Sequence, residues 1–112
     1  VQAAKLDALP HLTKVRVNSH SVSEIRPNFK MKPMDDPKFR RALQYVIDRK
    51  KLLNVIYQGE GVVGRTTPLA PTLAPWHNPN VTFFEYDLNK ARRILKEAGY
   101  TWDDKGRLYY PE

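Results

Sequence analysis

The chain has 112 residues, of which 41% are hydrophobic and 28% charged, a size and balance typical of one folded domain. Lys and Arg outnumber Asp and Glu by 19 to 12, a formal net charge of +7, but they are scattered along the chain and indicate a basic surface without one anion-binding face. The absence of cysteine excludes disulfides, thiolate catalysis and most zinc sites, and no apolar run approaches the roughly 20 residues that span a bilayer. Val1 stands where an initiator methionine would be, which predicts a removed leader or a piece of a longer polypeptide.

The first 30 residues predict weakly defined elements. Residues 1–13 favour a short helix, with apolar residues at helical spacing and Pro10 near its end. The stretch "KVRVN", residues 14–18, alternates charged and apolar residues as a half-buried strand does. The stretch "SVSEIRPNF", residues 21–29, predicts a second extended segment, which Pro27 pushes toward a sheet edge or an irregular region.

Two consecutive helices are predicted between Asp36 and Gly59. Asp36 suits the N-cap and Pro37 the first helical turn, because a carboxylate accepts the unpaired amides and proline has no amide to leave unpaired. Asp48 repeats this capping for "RKKLLNVIY", residues 49–57, whose wide apolar arc predicts deep burial, and Gly59 is expected to end that helix. The apolar positions expected to be buried are Phe39, Ala42, Leu43, Val46, Ile47, Leu52, Leu53, Val55, Ile56 and Tyr57.

The C-terminal part predicts a strand, a helix and a final strand. "NVTFFEY", residues 80–86, is β-branched and aromatic, and Asp87 then caps a helix that ends at a left-handed Gly99. The buried stripe of this helix is predicted to be Leu88, Ala91, Ile94, Leu95 and Ala98. "DDKGRLYY", residues 103–110, predicts a turn leading into a strand. The fold class is therefore α+β, with about three helices packed on a small mixed or antiparallel sheet.

The Pro/Gly-rich loop over residues 59–80 carries the candidate ligand-binding residues, Arg65, Thr66 and Trp76. A guanidinium, a hydroxyl and an indole on a proline-stiffened loop can hold a peptide-like or polar ligand through charge, hydrogen bonding and stacking. The alternative is that Trp76 only anchors the loop on the helices.

Catalytic and metal-binding patterns are weak. His11, His20 and His77 lack the spacing of metal ligands, and the pair Asp35 and Asp36 is better explained by helix capping. "GEGVVG" follows a helix and lacks the Gly-Lys-Ser/Thr of a phosphate loop. We therefore expect no enzyme activity, no metal and no cofactor.

Two long stretches resemble the periplasmic solute-binding proteins of ABC importers, in the class of oligopeptide, dipeptide and nickel receptors. "KPMDDPKFRRALQYVIDRKKLLNVIYQGEG", residues 32–61, is similar to the family's capped helix, Ile-Asp-Arg junction, second helix and glycine-rich exit. "YDLNKARRILKEAGYTWDDKGRLYY", residues 86–110, is similar to its tyrosine-aspartate cap, following helix, Ala-Gly-Tyr ending and glycine turn. The resemblance covers about residues 28–110.

The resemblance implies that residues 1–112 are a fragment of the second lobe of a larger, two-lobed receptor. Such a receptor captures an oligopeptide or similar small solute in the periplasm or outside the cell and delivers it to a membrane permease. The implied partners are the solute, the remaining lobe and the permease. The loop over residues 59–80 departs from the family's pattern, and the resemblance assigns no acid of this chain to a peptide amino terminus.

Two other functions remain as alternatives. A basic nucleic-acid-binding module would use the net charge of +7, with Lys50, Lys51, Arg92 and Arg93 as its surface, although solvated helix faces with these residues are commoner. A structural scaffold segment would bury a lobe core without contacting the ligand.

Overall fold

The computed structural model describes residues 5–6, 9–15 and 17–111, and the elements bounded within these ranges are three α-helices and two short strands. In chain order they are α1 (Pro37–Val46), α2 (Arg49–Tyr57), α3 (Leu88–Glu97), β1 (Thr101–Trp102) and β2 (Leu108–Tyr109). The predicted α+β class is confirmed in its coarse form, three helices with a small antiparallel sheet.

Aspartate side chains cap all three helices, as the sequence predicts. The Asp36 carboxylate accepts from the Lys38 amide at 2.8 Å, and Pro37 occupies the first turn of α1. Asp48 and Asp87 accept from amides three residues further on, each at 2.9 Å. Each carboxylate satisfies an amide that has no partner within its helix, so the three helix starts are determined locally.

The core lies between α1 and α3. Tyr45 of α1 is buried, and its ring and that of Phe84 lie nearly perpendicular at a centroid distance of 5.1 Å. Leu95 of α3 is also buried, at 8% exposure. The buried cluster consists of Ala42, Tyr45, Ala91, Leu95 and Tyr100, with Phe39, Phe84, Ile94 and Ala98 half-buried around it.

The Tyr100 side chain ties the end of α3 to the start of α1. Its hydroxyl donates to the second oxygen of the Asp36 carboxylate at 2.9 Å, and its ring lies 5.7 Å from that of Phe39. Burial raises the pKa of Tyr100 to about 12, and the hydrogen bond to Asp36 adds to this effect. Burial would raise the pKa of Asp36 as well, but the bonds from the Lys38 amide and from Tyr100 outweigh it and hold that pKa below its ordinary value.

Gly99 provides the left-handed residue at which the chain leaves α3. Its φ is +88°, and the following amide of Tyr100 donates back to the Leu95 carbonyl at 3.0 Å. A Cβ atom here would lie 3.0 Å from Cβ of Pro111. The prediction for Gly99 is confirmed, and the tight approach of Pro111 is a second reason for glycine at this position.

Gly99→Ala is expected to lower the free energy of unfolding by about 1–2 kcal/mol, the cost of a left-handed backbone with a Cβ atom. Urea denaturation followed by circular dichroism measures this difference. Gly64→Ala is the matched control, because a Cβ at Gly64 meets nothing within 4 Å and its φ is not positive. Equal losses in the two variants would contradict the role of backbone conformation at Gly99.

The predicted deep burial of α2 is wrong. No residue of α2 is buried, and Leu52, Val55, Ile56 and Tyr57 are exposed, while Leu53 is half-buried. α1 and α3 pack closely together, whereas α2 has no comparable contact with either of them in the described part of the chain. The helix forms from its cap and its apolar pattern, but that pattern carries no information about which surface covers it. The same applies to Leu88 and Val46, which are predicted to be buried but lie exposed at helix ends.

The predicted strands over residues 14–18 and 80–86 are not found among the described residues, which exclude position 16. Residues 21–29 have no regular secondary structure, which is one of the two outcomes predicted from Pro27. Alternating residues need a neighbouring strand to complete their hydrogen bonds, and here side chains supply part of that bonding for residues 81–84. The predicted helix over residues 1–13 lies partly outside the described residues. Residues 9–13 contain a turn, in which the Leu12 amide donates to the Leu9 carbonyl at 3.1 Å.

The sheet consists of β1 and β2 in antiparallel register, with Thr101 opposite Tyr109 and Trp102 opposite Leu108. Asp103 organises the turn between them, accepting from the Arg107 amide at 2.8 Å and from Arg107 Nε at 2.6 Å. The turn and the strand after it are confirmed. The helices do not pack on this sheet as predicted, since both strands are exposed and the core lies between α1 and α3.

Candidate functional site

The loop that carries the predicted ligand-binding residues lies against the extended segment before α3. Thr66 Oγ1 donates to the Thr82 carbonyl at 2.7 Å, and the Arg65 guanidinium reaches the Val81 carbonyl at 3.5 Å, the outer limit of a hydrogen bond. Arg65 also lies over the ring of Phe83, with its guanidinium carbon 5.6 Å from the ring centroid. The structure thus brings Arg65 and Thr66 together on residues 81–83.

Arg49 holds the same extended segment from its other end. Its guanidinium donates to the carbonyls of Gln44 at 3.2 Å and Phe84 at 3.1 Å, and to Oε1 of Gln44 at 2.6 Å. Its guanidinium carbon lies 5.9 Å from the centroid of Phe83, and partial burial lowers the pKa of Arg49. The aromatic ring of Phe83 is therefore approached by two guanidinium groups, from Arg49 and Arg65.

A cleft of about 220 Å³ opens between the α1–α2 junction and this segment. Its walls are residues 47–50 on one side and residues 83–86 on the other. Its charged residues are Asp48, Arg49 and Lys50 on the first wall and Glu85 on the second, so the formal charges balance, and Phe83, Phe84 and Tyr86 supply aromatic surface. Such a lining can bind a group with both polar and apolar parts. No group of three His, Asp or Glu side chains suitable for a metal ion occurs in the described ranges.

Trp76, the third predicted site residue, lies apart from the other two. Its side chain is 70% exposed, and within the described residues no hydrogen bond or ring contact joins it to Arg65 or Thr66. Its own amide donates to the Leu73 carbonyl at 2.9 Å, and the neighbouring His77 ring nitrogen bonds the Leu69 carbonyl at 2.9 Å. The alternative that Trp76 anchors the loop on the helices is wrong, because its indole is largely solvent-exposed.

Sequence reasoning missed Arg49 and Phe83 as organisers of this region. Arg49 is part of the Ile-Asp-Arg junction between α1 and α2, and it is not among the predicted ligand-binding residues. An arginine directly after a capping aspartate, at a junction of two helices, is a usable signal, because its guanidinium can bond the last carbonyls of the preceding helix. Its contact with Phe84 spans 35 positions and has no sequence signal.

The family described as bacterial extracellular solute-binding proteins, family 5 Middle, matches residues 1–111. Heme-binding protein A of Haemophilus influenzae is 35% identical over 98 residues, covering 87% of this chain and 17% of that protein. The dipeptide-binding protein of Escherichia coli is 38% identical over 80 residues, 70% of this chain and 14% of the relative. The glutathione-binding protein GsiB of Salmonella typhimurium is 38% identical over 104 residues, 88% of this chain and 19% of the relative.

One solved structure shares the fold of this chain. The crystal structure of NikZ from Campylobacter jejuni in complex with Ni(L-His) matches with a TM-score of 0.64 and 25% identity, over 74% of this chain and 16% of NikZ. The chain thus spans less than a fifth of the length of the relatives it matches.

The matched family and these relatives are solute-binding proteins and not enzymes, which confirms the prediction that the chain is not an enzyme. Proteins of this family are periplasmic or extracellular. Among the described residues, no helix is both long and apolar enough to cross a membrane. The match over nearly the whole sequence and the identities of 35% and 38% agree with the resemblance of residues 28–110. The chain belongs to the family 5 bacterial extracellular solute-binding proteins.

Proposed function

We propose that this chain is a segment of the second lobe of a receptor that captures an oligopeptide or similar small solute for uptake by an ABC transporter. The observation that carries the proposal is the family match over residues 1–111, together with relatives named for a dipeptide and for the tripeptide glutathione. The partners of the whole receptor are then the solute, the remaining lobe and the membrane permease. The nucleic-acid alternative is not favoured, because none of these relatives is named for nucleic acid.

The contacts of the Pro/Gly-rich loop support a division of roles among the three candidate residues. Thr66 donates its hydroxyl to the carbonyl of residue 82, and one guanidinium nitrogen of Arg65 reaches the carbonyl of residue 81. The first role of Arg65 and Thr66 is therefore to position the loop beside the cleft. Trp76 presents an exposed indole that a solute side chain can stack on. An exposed aromatic ring on a held loop is a suitable contact for a ligand that varies in sequence.

The experiment that tests the function is calorimetric titration of the full-length receptor. A pool of short peptides, glutathione, heme and a nickel–histidine complex are titrated separately. Saturable binding of peptides is expected. Binding of heme or of the nickel complex, with no binding of any peptide, would overturn the proposed solute class.

Trp76→Ala in the full-length receptor is expected to raise the peptide Kd about tenfold, because loss of a stacked aromatic contact costs more than about 1 kcal/mol. Trp102→Ala is the matched control, since that indole lies in β1 and is itself exposed. Kd is measured by the same calorimetry. An unchanged Kd in the Trp76 variant would favour the scaffold alternative, in which this segment does not touch the solute.

A further inference from the structure

Three apolar side chains of α2 form an exposed patch, defined here as the α2 patch: Leu52, Val55 and Ile56. They are 44%, 70% and 55% exposed, respectively. Positions three and four residues apart lie on the same face of a helix, so the three side chains are neighbours. Asn54 lies on the opposite face of α2 and is also exposed. The helix is therefore amphipathic, and its apolar face is directed to solvent in this chain.

The described contacts of α2 leave most of its apolar surface uncovered. The Tyr57 hydroxyl bonds Ser23, and Leu53 is half-buried beside Gly61. A helix of nine residues is marginal on its own, and most helix stability in proteins comes from packing of the apolar face. α1, which is one residue longer, buries Ala42 and Tyr45 in the core, whereas α2 buries no residue.

We infer that the α2 patch is the surface on which this segment packs against the rest of the same receptor polypeptide. The inference rests on the proposed function, because it needs the chain to be one part of a longer receptor. The relatives are long enough to contain a covering segment, since more than four fifths of their length lies outside the matched region.

Area and connectivity favour this occupant over a second copy of the chain. A stable interface between separate proteins buries about 800 Å² on each partner, far more than three side chains provide. Separate molecules also lose translational and rotational freedom on association. A covalently connected segment is present at a high effective concentration, so a small apolar patch is enough to hold it.

Cysteine accessibility tests the inference, because the chain itself contains no cysteine. Val55→Cys and Asn54→Cys are made singly in the 112-residue chain and in the full-length receptor, with any cysteines elsewhere in the receptor replaced by serine. The rate of reaction with a maleimide is measured for each. In the 112-residue chain the two rates are expected to be similar. In the receptor the Val55→Cys rate is expected to fall by about tenfold or more, while the Asn54→Cys rate is unchanged.

Amide hydrogen exchange of the unmodified proteins keeps the test decisive if Val55→Cys disturbs folding. Amides of residues 49–57 are expected to exchange more slowly in the receptor than in the 112-residue chain. Equal labelling and equal exchange in the two proteins would overturn the inference. Protection that appears in the 112-residue chain only as its concentration rises would assign the patch to a second copy, and protection by anionic lipid vesicles would assign it to a membrane surface.

Titration of the same receptor variants with the peptide pool separates this inference from the proposed function. If the patch is protected but the receptor binds no peptide, the proposed solute class is wrong and the inferred docking surface is kept. If the receptor binds peptide but its Val55→Cys variant reacts with maleimide as fast as the same variant of the 112-residue chain, only the inferred docking surface is wrong.

Discussion

Leu95→Ala is expected to lower the free energy of unfolding by about 2–5 kcal/mol, the range for truncating a buried leucine. Leu95 is 8% exposed and lies in the cluster between α1 and α3, so the truncation removes apolar contacts and leaves a cavity. Urea denaturation of the 112-residue chain, followed by circular dichroism in the far ultraviolet, measures the difference.

Leu52→Ala is the matched control for this variant, because it is the same chemical change on a side chain that is 44% exposed. Its expected cost is below about 1 kcal/mol, since little apolar surface is removed from a packed environment. A cost at Leu52 as large as that at Leu95 would show that α2 packs into a core within this chain, and would contradict the described burial.

Asp36→Ala is expected to lower the free energy of unfolding by about 2–5 kcal/mol, because two interactions are lost together. Removal of an aspartate N-cap costs about 0.5–2 kcal/mol. The hydrogen bond from Tyr100 to a charged carboxylate contributes about 1.5–3 kcal/mol, and its loss leaves a buried hydroxyl without a partner. The measurement is again urea denaturation, at neutral pH.

Asp87→Ala separates the two contributions, because Asp87 caps α3 in the same way without a tyrosine partner. A double-mutant cycle of Asp36→Ala and Tyr100→Phe then gives the coupling energy directly.

Asp36 has a pKa lowered from 3.8, so its contribution to the free energy of unfolding is present above that pH and is lost as pH falls through the pKa of the folded state. Tyr100 has a pKa raised from 10.0 to about 12, so its contribution is present below pH 10.0 and is lost as pH rises through about 12. Identical losses for Asp36→Ala and Asp87→Ala would contradict the Tyr100 link.

The local elements of this chain are well predicted by local chemistry. Asp36, Asp48 and Asp87 each bond an amide two or three residues away, so a cap can be identified without knowledge of the tertiary structure. The Asp103 turn is local in the same sense. The strand over residues 80–86 was predicted wrongly, because a strand needs a partner and no local signal says whether one is present.

The candidate site shows the same difference between features that local chemistry predicts and features that depend on distant residues. The chemistry of Arg65, Thr66 and Trp76 predicts a ligand-binding role, and the structure places Arg65 and Thr66 against residues 81–83, with Trp76 apart from them. Their contact with a solute stays a prediction. Arg49 was missed because its bond to the Phe84 carbonyl joins residues far apart in sequence.

By itself, the sequence determined the three helix starts, the left-handed exit at Gly99, the final turn and the family. Only the tertiary structure decided which apolar face is buried: α1 and α3 cover each other, while α2 has an apolar face that remains in solvent. The physical reason is that caps and turns act over a few residues, whereas burial depends on a second surface. An amphipathic pattern specifies that a face should be covered, but it does not identify the covering element.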